Sequence, residues 1–150
     1  MPVKINGLLK LEKKLTKLLP KANSNFAKEM KRSIVDVIVE KIVSGVSPVK
    51  GQNRYKQYSE SYSKVKGRKA PVDLVDTGNM LNNMVAKQTK SNSIIVEFKG
   101  PAKKIASYHQ NGTGKMPQRK MLPVGREVFK SDIMKKIVKI LEDAVSKALK

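Results

Sequence analysis

His109 is the only histidine in the chain, and it lies in the stretch YHQNGTGKMPQRKMLPVGRE (108–127), which also holds three glycines and two prolines. A catalytic histidine needs a nucleophile nearby and a third group that orients its ring. The chain has no cysteine, and its acids show no spacing typical of paired carboxylates or a metal cage. We therefore expect no enzyme, no cofactor and no metal. A metal nuclease with scattered acidic ligands stays open, with these candidate acids: Glu60, Asp73, Asp76, Glu97, Glu127 and Asp132.

The segment GTGK (112–115) has some of the residues of a phosphate-binding loop. The pattern G-x-x-x-x-G-K-[ST] is absent, however, because position 116 is Met, and no helix pattern follows it. Glycines that permit a sharp turn with positive φ explain the segment better. By the same reasoning His109 is predicted to be a polar residue at the end of a short helix.

The chain is strongly basic, with a formal net charge of +20 and 32 Lys and Arg against 12 Asp and Glu. Only five of the basic residues are Arg. Arg offers a planar fork that suits base readout, whereas Lys is a hydrated point charge. The charge therefore indicates either a protein that binds a polyanion without sequence specificity or lysines that simply lie on solvent-exposed helix faces.

The length of 150 residues suits one compact domain spanning 1–150. No apolar run approaches the roughly 18 residues of a membrane span, and the start MPVKINGLLKLEKK lacks the continuous apolar region of a signal peptide. We expect a protein that is made in the cytoplasm, is not exported and does not contact a membrane.

Three helical stripes are predicted to build most of the core. The first runs from Ile5 to Leu19 before Pro20, and its apolar face lacks the Trp and Phe of a membrane-surface helix. The second runs from Phe26 to Ile42 with Gly45 as its stop, and it is apolar over so much of its circumference that it must be deeply buried or covered by another chain. The third follows Asp132 as its cap and repeats apolar residues to Ala148.

The long loop 46–75 mixes Pro, Gly, Ser and Lys with three tyrosines. Loops of this length are usually functional or disordered. Ser59 is predicted to cap a short helix that ends at Gly67. The tyrosines either pin the loop to the core or, together with the arginines, stack on single-stranded bases. The residues concerned are Arg54, Tyr55, Tyr58, Tyr62 and Arg68.

In the middle of the chain the sequence predicts a short helix, a β-hairpin, a second helix and a segment bracketed by prolines. Asp76 or Thr77 is predicted to cap a short helix that carries Met80, Leu81 and Met84 on one side. The alternation of Ile94, Val96 and Phe98 after SNS (91–93) predicts a β-hairpin.

Pro101 is predicted to start a helix that Asn111 and Gly112 end. The segment 113–123, bracketed by prolines, is predicted to be a loop or an edge strand and is called the arm below. The fold class is thus α+β, with a small antiparallel sheet packed against long amphipathic N-terminal and C-terminal helices.

Two stretches together resemble a known family. Residues 45–81, GVSPVKGQNRYKQYSESYSKVKGRKAPVDLVDTGNML, contain G-x-SP, YS-x-x-Y and [DS]-x-G-x-[ML] in order. Residues 108–123, YHQNGTGKMPQRKMLP, contain H-[NQ]-x-G followed by P-x-R-x-[FM]-L-P. This order resembles the virion morphogenesis proteins of tailed phages, which include tail completion, neck and head-tail joining proteins. The resemblance covers residues 45–127.

The resemblance implies an α+β fold that assembles into rings, commonly sixfold, between the connector and the tail tube. It implies that Asp76, Thr77 and Gly78 start the central short helix, and that His109 and Gly112 end another. Met121 departs from the family, which often has an aromatic residue at that position. The arm, packed on the sheet or on a neighbouring subunit, would include Pro117, Arg119, Leu122 and Pro123.

The resulting prediction is a structural virion protein that forms a homo-oligomeric ring, hexameric or otherwise, at the neck or tail end. Its partners would be copies of itself, the phage connector and the tail-tube or terminator proteins, with genomic DNA held in the lumen by charge alone. The alternative is a basic, non-specific nucleic-acid-binding protein that uses the tyrosines and arginines of the long loop.

Overall fold

The structure, a computed structural model, describes residues 3–4, 24–68, 71–88 and 94–148. It has the predicted α+β fold. In chain order the elements are β1 (Val3–Lys4), α1 (Ser24–Val43), α2 (Glu60–Lys66), α3 (Asn79–Asn82), β2 (Met84–Gln88), β3 (Ile94–Phe98), α4 (Ala102–Asn111) and α5 (Ser131–Ala148).

The three strands form one antiparallel sheet in the order β1-β3-β2. β2 and β3 form the predicted hairpin, in which Met84 lies opposite Phe98 and Gln88 opposite Ile94. Alternate residues of β3 point into the core, as period-2 patterning requires, since Ile94, Val96 and Phe98 are all buried. β1 pairs with the other edge of β3.

Two long helices supply the largest part of the core. α1 packs on both α5 and β2, and its Ile34, Ile38 and Ile42 are fully buried. The predicted stripe of α5 is also inside, with Ile133, Ile137 and Leu141 among the most buried side chains. The buried residues of both helices, the sheet and the arm form one hydrophobic cluster.

The long loop 46–75 is tied to the body at several points. Isolated β-bridges join Val46 to Arg54 and Val49 to Phe129. Ser59 caps α2 as predicted, since its side chain accepts a hydrogen bond from the backbone N–H of Tyr62, and Gly67 ends the helix in the left-handed conformation. Backbone pairing therefore fixes residues 46–55 of this loop, and α2 follows shortly after them.

The start of the central helix agrees with the prediction for Thr77. The residue that precedes α3 is Gly78, with φ of +81° and no side chain to cap the helix. The Thr77 hydroxyl accepts a hydrogen bond from the N–H of Asn79, the first residue of the helix, at 3.4 Å. Met84 is buried as expected but belongs to β2, because α3 is a single turn.

The last helix starts at Ser131, two residues earlier than a cap at Asp132 predicts, so Asp132 lies in its first turn and is not its cap. The carboxylate of Asp132 instead accepts a hydrogen bond from Lys41 Nζ at 2.8 Å, which links α5 to α1. That hydrogen bond from Lys41 is the main reason why the pKa of Asp132 is lowered. The predicted first helix, Ile5 to Leu19, lies outside the described residues.

Candidate assembly site at the arm

The arm follows Gly112, the residue directly after α4. This residue has φ of +73° and ψ of 171°, a region of backbone space that is essentially restricted to glycine. A Cβ at this position would lie 3.0 Å from the backbone N of Gln118 and 3.1 Å from the carbonyl oxygen of Met116. The GTGK segment that follows is a tight turn, because the N–H of Thr113 donates to Met116 and the N–H of Met116 donates back to Thr113. The glycine thus lets the arm fold back along α4.

Gln110 pins the arm from inside α4. Its Nε2 donates to the carbonyl of Leu122 at 2.6 Å, and its Oε1 accepts the N–H groups of Met121 at 2.9 Å and Leu122 at 3.1 Å. The side chain is buried, so these bonds are shielded from water. Leu122 and Pro123 are buried beside it. Gln110 is the second residue of the motif H-[NQ]-x-G, but the sequence predicted no role for it.

Arg119 projects from the arm into the long loop. It is only 5% exposed, and its Nε and Nη2 donate to the carbonyl of Lys56 at 3.2 and 3.1 Å. Nη2 also donates to the carbonyl of Gln57 at 3.2 Å, and the guanidinium lies 5.5 Å from the centroid of the Tyr58 ring. Burial lowers the pKa of Arg119, but an arginine remains charged in proteins. Backbone carbonyls and a ring face therefore compensate the buried charge.

Tyr58 continues the network toward Asp73. Its hydroxyl donates to Asp73 Oδ1 at 2.9 Å and accepts the N–H of Leu74 at 3.2 Å. Burial, followed by the hydrogen bond to Asp73, raises the pKa of Tyr58 to about 12. Leu74 has φ of +56°, a strained value for a residue with a side chain. The bond from its N–H to the tyrosine holds that conformation.

Asp73 is a buried carboxylate with two cationic partners. Lys66 Nζ lies 3.0 Å from its Oδ1, and Arg68 pairs with its Oδ2. Burial raises its pKa, but hydrogen bonds from Lys66, the N–H of Val75 and Tyr58 outweigh that effect and lower it overall. Arg119, Gln110, Tyr58 and Asp73 together are called the clasp below.

The other residues predicted to contact nucleic acid in the alternative function differ in exposure and in their partners. Tyr55 is only 8% exposed, and its hydroxyl donates to the carbonyl of Lys120, so its ring is not free to stack on a base. Tyr62 is half-buried with its ring 4.9 Å from that of Tyr58. Arg68 is committed to Asp73, while Arg54 has an exposed side chain.

His109 lies in the last turn of α4, as predicted, and its carbonyl accepts the N–H of Arg119 at 2.7 Å. Its ring is half-buried, and Nδ1 is buried without a hydrogen-bond partner. Burial, with a smaller contribution from the charge of Arg119, lowers the pKa of His109 to about 4. The imidazole is therefore neutral at pH 7.

The motif residues from the two stretches thus converge. Arg119 of the arm contacts residues 56–58 of the long loop, and α3, which follows Gly78, packs against α4. Pro117 lies half-buried in the arm between the turn and Arg119. Asp76 is exposed and takes no part in the clasp.

No group of three or more His, Asp or Glu in the described ranges could hold a metal ion. Within the same ranges, no helix is both long and apolar enough to cross a membrane.

Comparison with known proteins finds no family model, no curated protein and no solved structure that matches this chain.

Proposed function

We propose that the protein is a structural component of a tailed-phage virion, in which copies form a ring at the neck or tail end that completes the tail or joins head and tail. The observation that carries the proposal is the contact of Arg119 with the carbonyls of Lys56 and Gln57. It joins the two stretches, 45–81 and 108–123, on which the family resemblance depends. Motifs far apart in sequence are expected to meet when they define one structural unit.

The chemistry of the clasp supports a structural role. Its polar side chains bind backbone groups and each other, which uses their hydrogen-bonding capacity to fix the arm and the long loop. A site prepared for a reaction would instead orient a nucleophile or a base toward open space. The arm is therefore proposed to be a rigid scaffold on which subunit contacts are built.

The proposed partners are copies of the chain, in a hexameric or other ring, together with the connector and tail-tube or terminator proteins of the phage. The protein would be made in the host cytoplasm and become part of the virion. Genomic DNA in the ring lumen would meet lysines through charge alone. The nucleic-acid-binding alternative has less support, because Tyr55 is buried and the Tyr58 hydroxyl is committed to Asp73.

Val65 provides a position for testing assembly. It lies on α2 with 85% of its surface exposed, so it contributes almost nothing to the core. An apolar side chain this exposed in the free chain would gain from burial against a neighbour. Val65→Glu is accordingly expected to weaken subunit contacts while leaving the fold intact.

The experiment is deletion of the gene from the phage genome that encodes the chain, followed by complementation. Deletion is expected to leave heads and tails unjoined, or tails incomplete. Wild-type protein should restore particles, and Lys64→Gln, which changes the charge by the same one unit on the same helix, should do so equally well. Val65→Glu should restore at least about 10-fold fewer, a loss of about 1.4 kcal/mol in assembly. Normal particles from the deleted genome would refute the proposed function.

A further inference from the structure

The outer face of α4 is rich in hydrogen-bond donors and has no acid. Successive residues of a helix are about 100° apart, so Lys104, Ser107, Tyr108 and Asn111 share the side opposite the buried Ala102, Ala106 and Gln110. All four are exposed, and Lys103 flanks them. None of the 12 Asp and Glu of the chain occurs between positions 98 and 126.

Five described lysines elsewhere in the protein are paired with acids, whereas the lysines of this face, like Lys135 and Lys139 of α5, are not. Lys41, Lys66, Lys87, Lys120 and Lys136 each lie within 4 Å of a carboxylate. Within the part of the chain that the structure describes, Lys103, Lys104 and Lys115 form no such ion pair. Lys115 is exposed in the turn that follows α4. The α4 face, defined as Lys103, Lys104, Ser107, Tyr108, Asn111 and Lys115, thus carries positive charge with no carboxylate in direct contact, although Lys103 helps to lower the pKa of Glu97.

We propose that the α4 face binds the phosphate backbone of duplex DNA without reading its sequence. Lysine, serine, tyrosine and asparagine side chains are all common donors to phosphate oxygens. From Lys103 to Asn111 the helix rises roughly 12 Å, which matches about three to four phosphates of one strand at about 3.4 Å along the duplex axis. The face carries no Arg, the residue most often used to read guanine.

The composition of the face favours DNA over an acidic protein surface. Cores of protein interfaces are depleted of lysine, whereas the centre of this face is Lys104 with polar neighbours. Ile105, the apolar exposed residue of α4, lies at its edge. The proposal supplies a surface for the DNA contact named under the proposed function, but it rests on the α4 face and is tested without particles. Its failure would leave the ring proposal standing.

The test measures binding of a fluorescent 20-base-pair duplex by anisotropy between about 50 and 200 mM salt. The variant Lys103→Gln/Lys104→Gln removes two charges from the α4 face. The control, Lys135→Gln/Lys139→Gln, removes two exposed charges from α5, where Glu142 and Asp143 lie nearby. Both variants have the same net charge, and Gln is nearly as good a helix former as Lys. Circular dichroism checks that both are folded.

The α4 variant is expected to bind at least about 10-fold more weakly at 0.1 M salt, and the slope of log K against log salt should fall by about two. The α5 control should change both quantities by less than half as much. An equal loss in the two variants would mean diffuse attraction to the whole +20 chain and would overturn the proposal. Absence of duplex binding by the wild type, or tighter binding of a polyglutamate peptide of equal charge, would overturn it as well.

Discussion

The buried guanidinium of Arg119 illustrates how single residues hold this protein together. It has no carboxylate partner within the described residues, and its charge is met by two carbonyl groups and the Tyr58 ring. A planar fork can reach both carbonyls at once, whereas an ammonium group cannot reproduce that geometry. The clasp therefore requires the planar guanidinium group of arginine and not only its positive charge.

Replacement of Arg119 by lysine should therefore be costly even though the charge is kept. Arg119→Lys is expected to lower the free energy of unfolding by about 2 to 4 kcal/mol, because buried carbonyls lose their donors. Urea denaturation followed by circular dichroism measures the effect. Arg126→Lys is the control at an exposed position of the next loop, and it should cost less than about 0.5 kcal/mol. Equal stability of the two variants would argue against the clasp.

His109 should make stability depend on mildly acidic pH. Its pKa is about 4 in the folded protein against an ordinary 6.5, so between these values the unfolded chain binds the extra proton. Stability contributed by the neutral ring is complete above pH 6.5 and is lost as the pH falls toward 4. Between pH 6.5 and 5 the loss should be about 1 kcal/mol, since solvent screens a ring that is partly exposed.

The check is the midpoint of urea denaturation at pH 6.5 and pH 5. The carboxylates with lowered pKa values, Asp73, Glu97, Glu127 and Asp132, titrate further down and interfere little in that window. His109→Gln should flatten the dependence. If the variant loses stability as steeply as the wild type, another group is responsible.

The role of a residue could be predicted from the sequence where it depended on residues close by in the chain. His109 and Gly112 stand at the end of α4, as the pattern of AKKIASYHQNG indicates. The role of Gln110 was not predictable, because its partners lie 11 and 12 residues away and no periodicity marks them. Asp73 was recognised only as one acid among several, since its pairing with Tyr58 depends on how the long loop folds.

At the scale of elements, the turn between α4 and the arm is the most constrained connection. Gly112→Ala should lower the free energy of unfolding by about 1 to 3 kcal/mol, because the backbone conformation is strained for any side chain. The added methyl would also meet the backbone of Gln118 and Met116. Thermal unfolding measures the change.

Gly114 is the matched control, two residues further along the same turn. A Cβ there has no neighbour within 4 Å, and its φ is not positive. Gly114→Ala is expected to be neutral or slightly stabilising, since it restricts the unfolded chain. A control that is as damaging as Gly112→Ala would show that the turn is sensitive for some other reason.

Elements with strong internal patterns were predicted well. Four elements occur at the predicted positions: the apolar stripe of α1, the capped α2, the β2–β3 hairpin and the stripe of α5. The element that was missed, β1, is two residues long and exists through pairing with β3, more than 90 positions away. Met84 was assigned to the wrong element because a single-turn helix and a strand start give similar short apolar patterns.

At the scale of the whole molecule, the positive charge of the α4 face and the clasp have separate roles. The clasp fixes the arm and the long loop to each other, whereas the lysines of the α4 face are exposed. The fold class followed from the order of helical and strand patterns along the chain. Function did not follow in the same way, because a fold does not specify a function and no matching protein links the two.

The proposed function requires that copies of this chain form a ring in the neck or tail of a virion. Electron cryomicroscopy of particles from the encoding genome, at side-chain resolution, tests it most directly. We predict a closed ring of density at the head-tail junction or tail end that fits α1, α5 and the β2–β3 hairpin, with Arg119 inserted beneath the long loop. A complete map of neck and tail in which no density fits this fold would refute the proposed function.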